Sequence, residues 1–276
     1  MLLFHRFFLL FLALAALRAE DAVAIIRKSV ELDQANWAGA RDYTWSGKHV
    51  VKHLNANGSV ANEKTETWET VILYGEPHRR FTSRNSKPLT PDQQRKEQEK
   101  LDKDVAKLRD ETPAHRDKRL ADEEKQRRKD REFLREIPDL YILKIEREDL
   151  IDGHPAWVIS ATPRPGYVPK RADAKPLLKI RGTIWIDKTE YQWVRVEAET
   201  IDTISFGLFI ARLSAGATLL FEQTRVNDEI WLPKHEVTRG EGRFMGKKIG
   251  EEEDYTWTNF HKFHVDSGIV TDGSPN

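Results

Sequence analysis

The stretch Lys179 to Glu199, KIRGTIWIDKTEYQWVRVEAE, reads as two strands closed by a polar turn, and the architecture of the chain follows from it. With Lys188, Thr189 and Glu190 as the loop, Asp187 faces Tyr191, Trp185 faces Trp193 and Arg181 faces Glu197. The other side then carries Ile180, Ile184 and Ile186 against Val194, Val196 and Ala198, with Gly182 and Gln192 as exceptions. A two-residue loop would mix the faces. A three-residue loop usually wants glycine in its left-handed position and none of the three is glycine, so the turn type stays open. A sheet with one apolar face must bury it under helices, under a second sheet or around a ligand.

Further strands flank this hairpin. Tyr43 to Leu54 and Ser59 to Leu73 alternate and are joined by Asn55-Ala56-Asn57-Gly58, whose Asn-Gly pair favours a hairpin turn. Leu140 to Leu150 and Ala156 to Thr162 form another hairpin through Asp152-Gly153, and three prolines make 163–169 an irregular loop. Ile201 to Phe206, the apolar run Leu208 to Leu213, then Leu219 to Val226, Ile230 to Thr238 and Glu253 to Phe263 complete the strands, with a loose tail from Asp266. No self-similar period appears. Asp21 to Asp33 places Val23, Ile26 and Val30 on one side of an amphipathic helix suited to covering a sheet.

Thr90-Pro91-Asp92-Gln93 has the form of a helix start, with a threonine cap, proline in the first turn and glutamine placed to close a capping box. From there to Glu136 the chain is dense in charge. Leu101, Val105 and Leu108 form a thin stripe before Thr112-Pro113 interrupts it, and Leu120, Phe133 and Leu134 give a second helix an apolar foothold. Residues 90–136 are therefore expected as a charged helical arm, either a solvated spacer or a docking surface for a protein partner.

The chain of 276 residues holds 45 Lys plus Arg and 45 Asp plus Glu, so no net field draws it to nucleic acid or to an anionic membrane. Met1 to Arg6 followed by an apolar run to Leu17 and Arg18-Ala19 reads as a signal peptide cut after Ala19, with an uncleaved anchor as the alternative. The expected organisation is a signal peptide at 1–19 and one β domain over 20–276, interrupted by the arm, in a periplasmic or secreted protein. Cysteine is absent, which removes disulfides, thiolate metal sites and a cysteine nucleophile.

Little in the sequence points to catalysis. His49 and His53 lie about 13 Å apart along a strand, too far to share one ion, so no metal is assigned and no cofactor either. Asp187 and Asp202 are isolated carboxylates with no paired acid or base, and no phosphate loop, GxSxG elbow or HExxH helix occurs. No catalytic residue is assigned. Trp45, Trp68, Trp157, Trp185, Trp193, Trp231 and Trp257 all fall in expected strands, where packing within and between strands explains them.

A signal peptide, an N-terminal helix, long antiparallel strands, Gly182-Thr183-Ile184-Trp185-Ile186-Asp187 and the Trp231-Leu232-Pro233 strand together resemble the periplasmic outer-membrane lipoprotein-sorting carriers, the Lol-type (LolA/LolB-like) superfamily. The long charged arm departs from the simple carriers. The resemblance implies a mainly β fold with helices (α+β), in which a strongly curved antiparallel sheet forms an unclosed half-barrel around an apolar cavity for acyl chains. On that basis Ile180, Ile184, Ile186, Val194 and Val196 would line the cavity, with Leu219 and Phe221 as further candidates. Ile26 and Val30 would belong to a lid, and Phe206, Leu208 and Phe209 to a lip at the mouth. The implied ligand is a lipid or a lipoprotein acyl chain. An envelope scaffold that binds protein through the arm is the alternative, and a hydrolase would need a polar cleft.

Overall fold

The structure, a computed structural model, describes residues 21–40, 42–74, 76–206 and 211–263. The expected signal peptide, Leu208, Phe209 and the C-terminal tail lie outside the described residues. Helix α1 (Ala22–Ala40) precedes β1 (Tyr43–Leu54), β2 (Val60–Leu73), β3 (Glu76–Arg84) and the short β4 (Lys87–Pro88). The arm is α2 (Pro91–Arg109) and α3 (Pro113–Arg131), followed by a 3-10 turn (Glu132–Glu136) and α4 (Ile137–Leu140). Then come β5 (Tyr141–Ile151), β6 (His154–Pro163), a second 3-10 segment (Ala172–Lys179), β7 (Ile180–Asp187) and β8 (Trp193–Thr200). The chain ends with β9 (Ile204–Phe206), β10 (Ala211–Leu213), β11 (Thr218–Val226), β12 (Ile230–Phe244) and β13 (Lys247–Lys262).

All these strands join one antiparallel sheet in the order β4-β3-β2-β1-β13-β12-β11-β8-β7-β6-β5, with β10 pairing β12 and β9. No pairing joins β4 to β5 among the described residues, so the sheet is open. The first and last strands, β1 and β13, meet in its middle. Strands β9 and β10 prolong the β8–β11 pairing past a break, where Ile201 N donates to Lys179 O and Ser214 N to Glu241 O, each at 2.8 Å.

Local chemistry accounts for the ends of the elements. In α2 the Thr90 hydroxyl accepts from Gln93 N at 3.4 Å while Gln93 Oε1 accepts from Thr90 N at 2.9 Å, the reciprocal cap legible in the sequence. Thr112 caps α3 in the same way, accepting from His115 N at 3.3 Å. Between β1 and β2, Asn57 Oδ1 accepts from Ser59 N at 3.1 Å and Gly58 takes the left-handed conformation, φ 80°.

The hairpin that opened the reading forms, but in another register. Arg181 faces Glu199, Gly182 faces Ala198, Ile184 faces Val196 and Ile186 faces Trp193. Four residues, 188–191, make the loop. Asp187 N donates to Gln192 O at 2.9 Å, the Asp187 carboxylate accepts from Thr189 N and Glu190 N, and Tyr191 takes the left-handed φ of 57° that a glycine would have supplied. A slip of two residues leaves every side chain on its face and still opposes Arg181 to a glutamate, so alternation cannot distinguish the two registers. The bulge opposite Trp185 and Ile186 is different in kind, because its extra residue, Val194, breaks the alternation.

Helix α1 packs Ile25, Ile26 and Val30 onto Trp157, Ile159, Ile184 and Ile186, with Ile137 and Leu140 closing the side. Full burial of one such side chain contributes roughly 1.5–3 kcal/mol. On the opposite face of the sheet Ala156, Val158, Trp185, Val194 and Trp231 form a separate apolar cluster. Farther round, Trp68 is only 2% exposed and lies against Gly47, where an added Cβ would stand 2.1 Å from the indole. Gly47→Ala is therefore expected to cost about 1–3 kcal/mol, read as a lower urea midpoint at an unchanged m value. An unshifted midpoint would show that the Trp68 ring can move away.

Candidate functional site

A cavity of about 1000 Å³ lies between the inner face of the sheet and the helices, at the top of the roughly 300–1,000 Å³ range of small-molecule pockets. Every strand from β5 to β13 contributes to its lining, which a flat sheet could not do. Asp33 and Trp37 of α1, Phe133 and Leu134 of the 3-10 turn, and Pro176 and Leu177 of the second 3-10 segment form the roof.

Strand register grades the inner face from apolar to charged. One row runs Ile184, Val196, Phe221, Glu236, Tyr255, His49 across β7, β8, β11, β12, β13 and β1. The next runs Gly182, Ala198, Leu219, Thr238, Glu253. Because neighbours in a row touch across the strands, the apolar half and the acidic half are continuous with each other. At the acidic end Glu253 Oε2 accepts from the Tyr255 hydroxyl at 3.2 Å and lies 3.1 Å from His49 Nε2, while His49 stacks on Tyr255 at 3.8 Å between ring centres. Burial, then the Glu253 charge, pushes the Tyr255 phenol up to about 12. The Glu236 carboxyl is raised by burial and then by Glu253.

The residues expected to line the cavity fall into three groups. Ile180, Ile184, Val196, Leu219 and Phe221 line it, and Phe206 stands on its rim at 48% exposure. Ile186 is fully buried in the core under α1, and Ile26 and Val30 are buried on the underside of α1 in the same core, so none of the three lines the cavity. Val194 lies on the opposite face with Trp185 and Trp231, because the bulge turns it outward and gives its inner position to Trp193. Sequence reasoning missed Asp33, Trp37, Trp193, Gln223 and Glu236. A signal for the first two existed: Ile26, Val30, Asp33 and Trp37 follow helical spacing on one face, so the helix continues through Asp33.

Asp33 is 3% exposed and is held by Arg131 from the end of α3, with Nε–Oδ2 at 2.9 Å and Nη2–Oδ1 at 2.7 Å. Arg131 also stacks over the Trp37 ring, 4.6 Å from its centre. Burial raises the Asp33 carboxyl above its ordinary value although the guanidinium pulls it down. The arm is thus tied to the body. Arg84 reaches Glu97 at 3.0 Å, and Arg119 reaches the Tyr74 carbonyl at 3.5 Å, while neither α2 nor α3 buries any residue.

The isolated carboxylates have structural work. Asp187 closes its own turn, and Asp202 pairs with Lys179 at 2.9 Å. His49 and His53 face Glu253 and Glu251 singly, and among the described residues no three His, Asp or Glu converge on a metal position. A second hollow against α3, about 580 Å³, is lined wholly by polar residues such as Glu111, Lys118 and Asp122, and is an open surface groove. Among the described residues no helix is long and apolar enough to cross a membrane.

The described residues thus form an open antiparallel sheet around a roofed, largely apolar cavity. No family profile matches the sequence, and no curated protein matches it. Among solved structures the chain is similar at the level of fold to an outer membrane lipoprotein-sorting protein domain from Vibrio parahaemolyticus, with 11% identity, 88% of this chain and 95% of that one covered, and a TM-score of 0.31. A LolA superfamily protein from Nitrosomonas europaea matches at 12% identity, 89% and 94% coverage and a TM-score of 0.30. A DUF1329 family protein from Desulfovibrio piger matches at 13%, with 90% and 96% coverage and a TM-score of 0.31.

Arg131→Ala strands a buried carboxylate and is expected to destabilise the protein by about 3–5 kcal/mol at neutral pH. A carboxyl whose folded pKa is raised contributes stability that is full below its unfolded pKa and is lost as pH rises through the folded pKa. Without the guanidinium that loss grows, so the gap between Arg131→Ala and wild type should be larger at pH 7 than at pH 4. Equal gaps in urea titrations at the two pH values would remove this account.

Proposed function

We propose that the chain binds hydrophobic ligands in the periplasm or after secretion, carrying or sensing lipids or lipoprotein acyl chains. The observation that supports this best is the continuous apolar wall of Ile180, Ile184, Val196, Leu219 and Phe221 facing a space of about 1000 Å³. Ten methylenes entering such a space contribute roughly 8 kcal/mol before the cost of association, so contact area alone can give useful affinity. Neither a metal nor a nucleophile enters this reading.

Native mass spectrometry of the mature protein purified without detergent, with organic extraction of what is bound, tests it. A co-purified lipid is expected, and Leu219→Glu with Phe221→Glu should lower its occupancy about ten-fold or more. Both positions are only partly buried, so the fold has room for the change. Protein that is clean as purified and ignores added fatty acid would overturn the carrier reading.

Binding of an envelope protein through the arm of residues 90–136 is a separate proposal, supported by α2 and α3, in which no residue is fully buried and most charged side chains are exposed. Because Arg131 holds Asp33, removal of the whole arm would confound docking with loss of the cavity roof. Removing 92–128 and rejoining the chain separates them. Ligand transfer to an acceptor should fall while binding persists, and unchanged transfer would eliminate the docking role.

A further inference from the structure

Two residues of the cavity lining each carry a buried polar atom without a partner, set just behind the apolar wall. Gln223 is 3% exposed, and its Oε1 has no hydrogen-bond partner. The indole N–H of Trp193, the residue that the bulge turns inward, is likewise buried and unpaired. A buried acceptor or donor left without a partner costs about 1–3 kcal/mol, so groups of this kind are normally satisfied by water or by a ligand.

A formal charge on the same wall is also unmatched. Glu236 lies opposite Phe221, which is two residues along β11 from Gln223 and on the same face. Glu236 has no hydrogen bond or ion pair among the described residues, and a nearby cation would relieve the burial and the Glu253 repulsion that raise its carboxyl. The cationic side chains around the cavity are already engaged: Arg131 with Asp33, Arg181 with Glu199 at 2.9 Å, and Arg239 with Glu252 at 3.1 Å. Arg212 has a partner as well. What the lining lacks is a positive charge beside a hydrogen-bond donor and an acceptor.

We propose that this end of the cavity is a head-group subsite for amine-bearing acyl amphiphiles, built from Trp193, Gln223 and Glu236. The acyl chain lies along the Ile184, Val196 and Phe221 row. The carbonyl at its end accepts from Trp193 Nε1–H, the amine donates to Gln223 Oε1, and Glu236 is the counter-ion. An anionic head would meet Glu236 and Glu253 and be rejected, which gives a carrier selectivity that an apolar wall by itself lacks. The inference rests on the carrier reading above.

Three probes with one chain and different heads test it on the delipidated full chain: N-(2-aminoethyl)dodecanamide, N-(2-hydroxyethyl)dodecanamide and N-lauroylglycine, titrated calorimetrically below their micellar concentrations. The amine should bind about ten-fold tighter than the hydroxyl probe, with the lauroylglycine anion weakest. Glu236→Gln should shrink the amine's advantage to about three-fold or less while leaving the hydroxyl probe unchanged. Equal affinities for all three, or the anion binding tightest, overturn the subsite and leave the carrier reading intact. If none of the three binds, the carrier reading fails and the subsite with it. The wild-type comparison needs no variant, so misfolding of Glu236→Gln would not protect the proposal.

Discussion

The pairing of Asp33 with Arg131 fixes what kind of interior this protein has. A carboxylate buried on the underside of a helix is tolerable only when a fork-shaped cation meets it, and Arg131 does so with parallel hydrogen bonds from the end of α3. The pair prolongs α1 beyond its purely apolar stretch and carries Trp37 out over the cavity. It also fastens the far end of the charged arm to the body, in addition to the Arg84–Glu97 and Arg119–Tyr74 contacts. Such a pair adds little net stability over an apolar substitute, but it specifies one arrangement of roof and sheet.

Under that roof the sheet stays hollow because of what its rows contain. Beside the row of Ile184, Val196 and Phe221 runs one in which Gly182 faces Ala198, so part of the wall offers no side chain larger than a methyl. Ile26 and Val30 fill the space toward β5, β6 and β7, where the core is dry. The end of α1 meets only the start of β12, where Asn36 Nδ2 donates to Trp231 O at 2.7 Å, and farther along, by Glu236, Thr238 and Glu253, the space remains open. The interior thus has a packed end, an apolar hollow and an acidic end, all set by which residues face inward on successive strands.

That grading connects fold to function. An apolar wall holds a chain through area and discriminates poorly, whereas unpaired polar groups in the same enclosure make the choice of head group costly to get wrong. Trp193 owes its position to the bulge at Val194, which re-aims it inward, whereas Gln223 follows Phe221 by the regular alternation of β11 and faces Pro233, a residue with no N–H to offer.

The amino-acid sequence by itself determined most of the strands and the helix starts, though it ended β12 at Thr238 and began β13 at Glu253, short of the hairpin that carries them to Phe244 and from Lys247. Alternation in 179–199, the Asn57-Gly58 turn and the Thr90 to Gln93 cap are local signals whose physics is complete within a few residues. Face assignment for Ile184 and Val196 followed from period two and survived a register slip of two residues, while Leu219 and Phe221 were expected from the resemblance alone. Only the tertiary structure decided that Val194 points away and that the arm reaches back to hold Asp33. A bulge is one uncounted residue in an otherwise regular strand, and a buried ion pair joins residues about a hundred positions apart, so neither leaves a periodic trace in the chain.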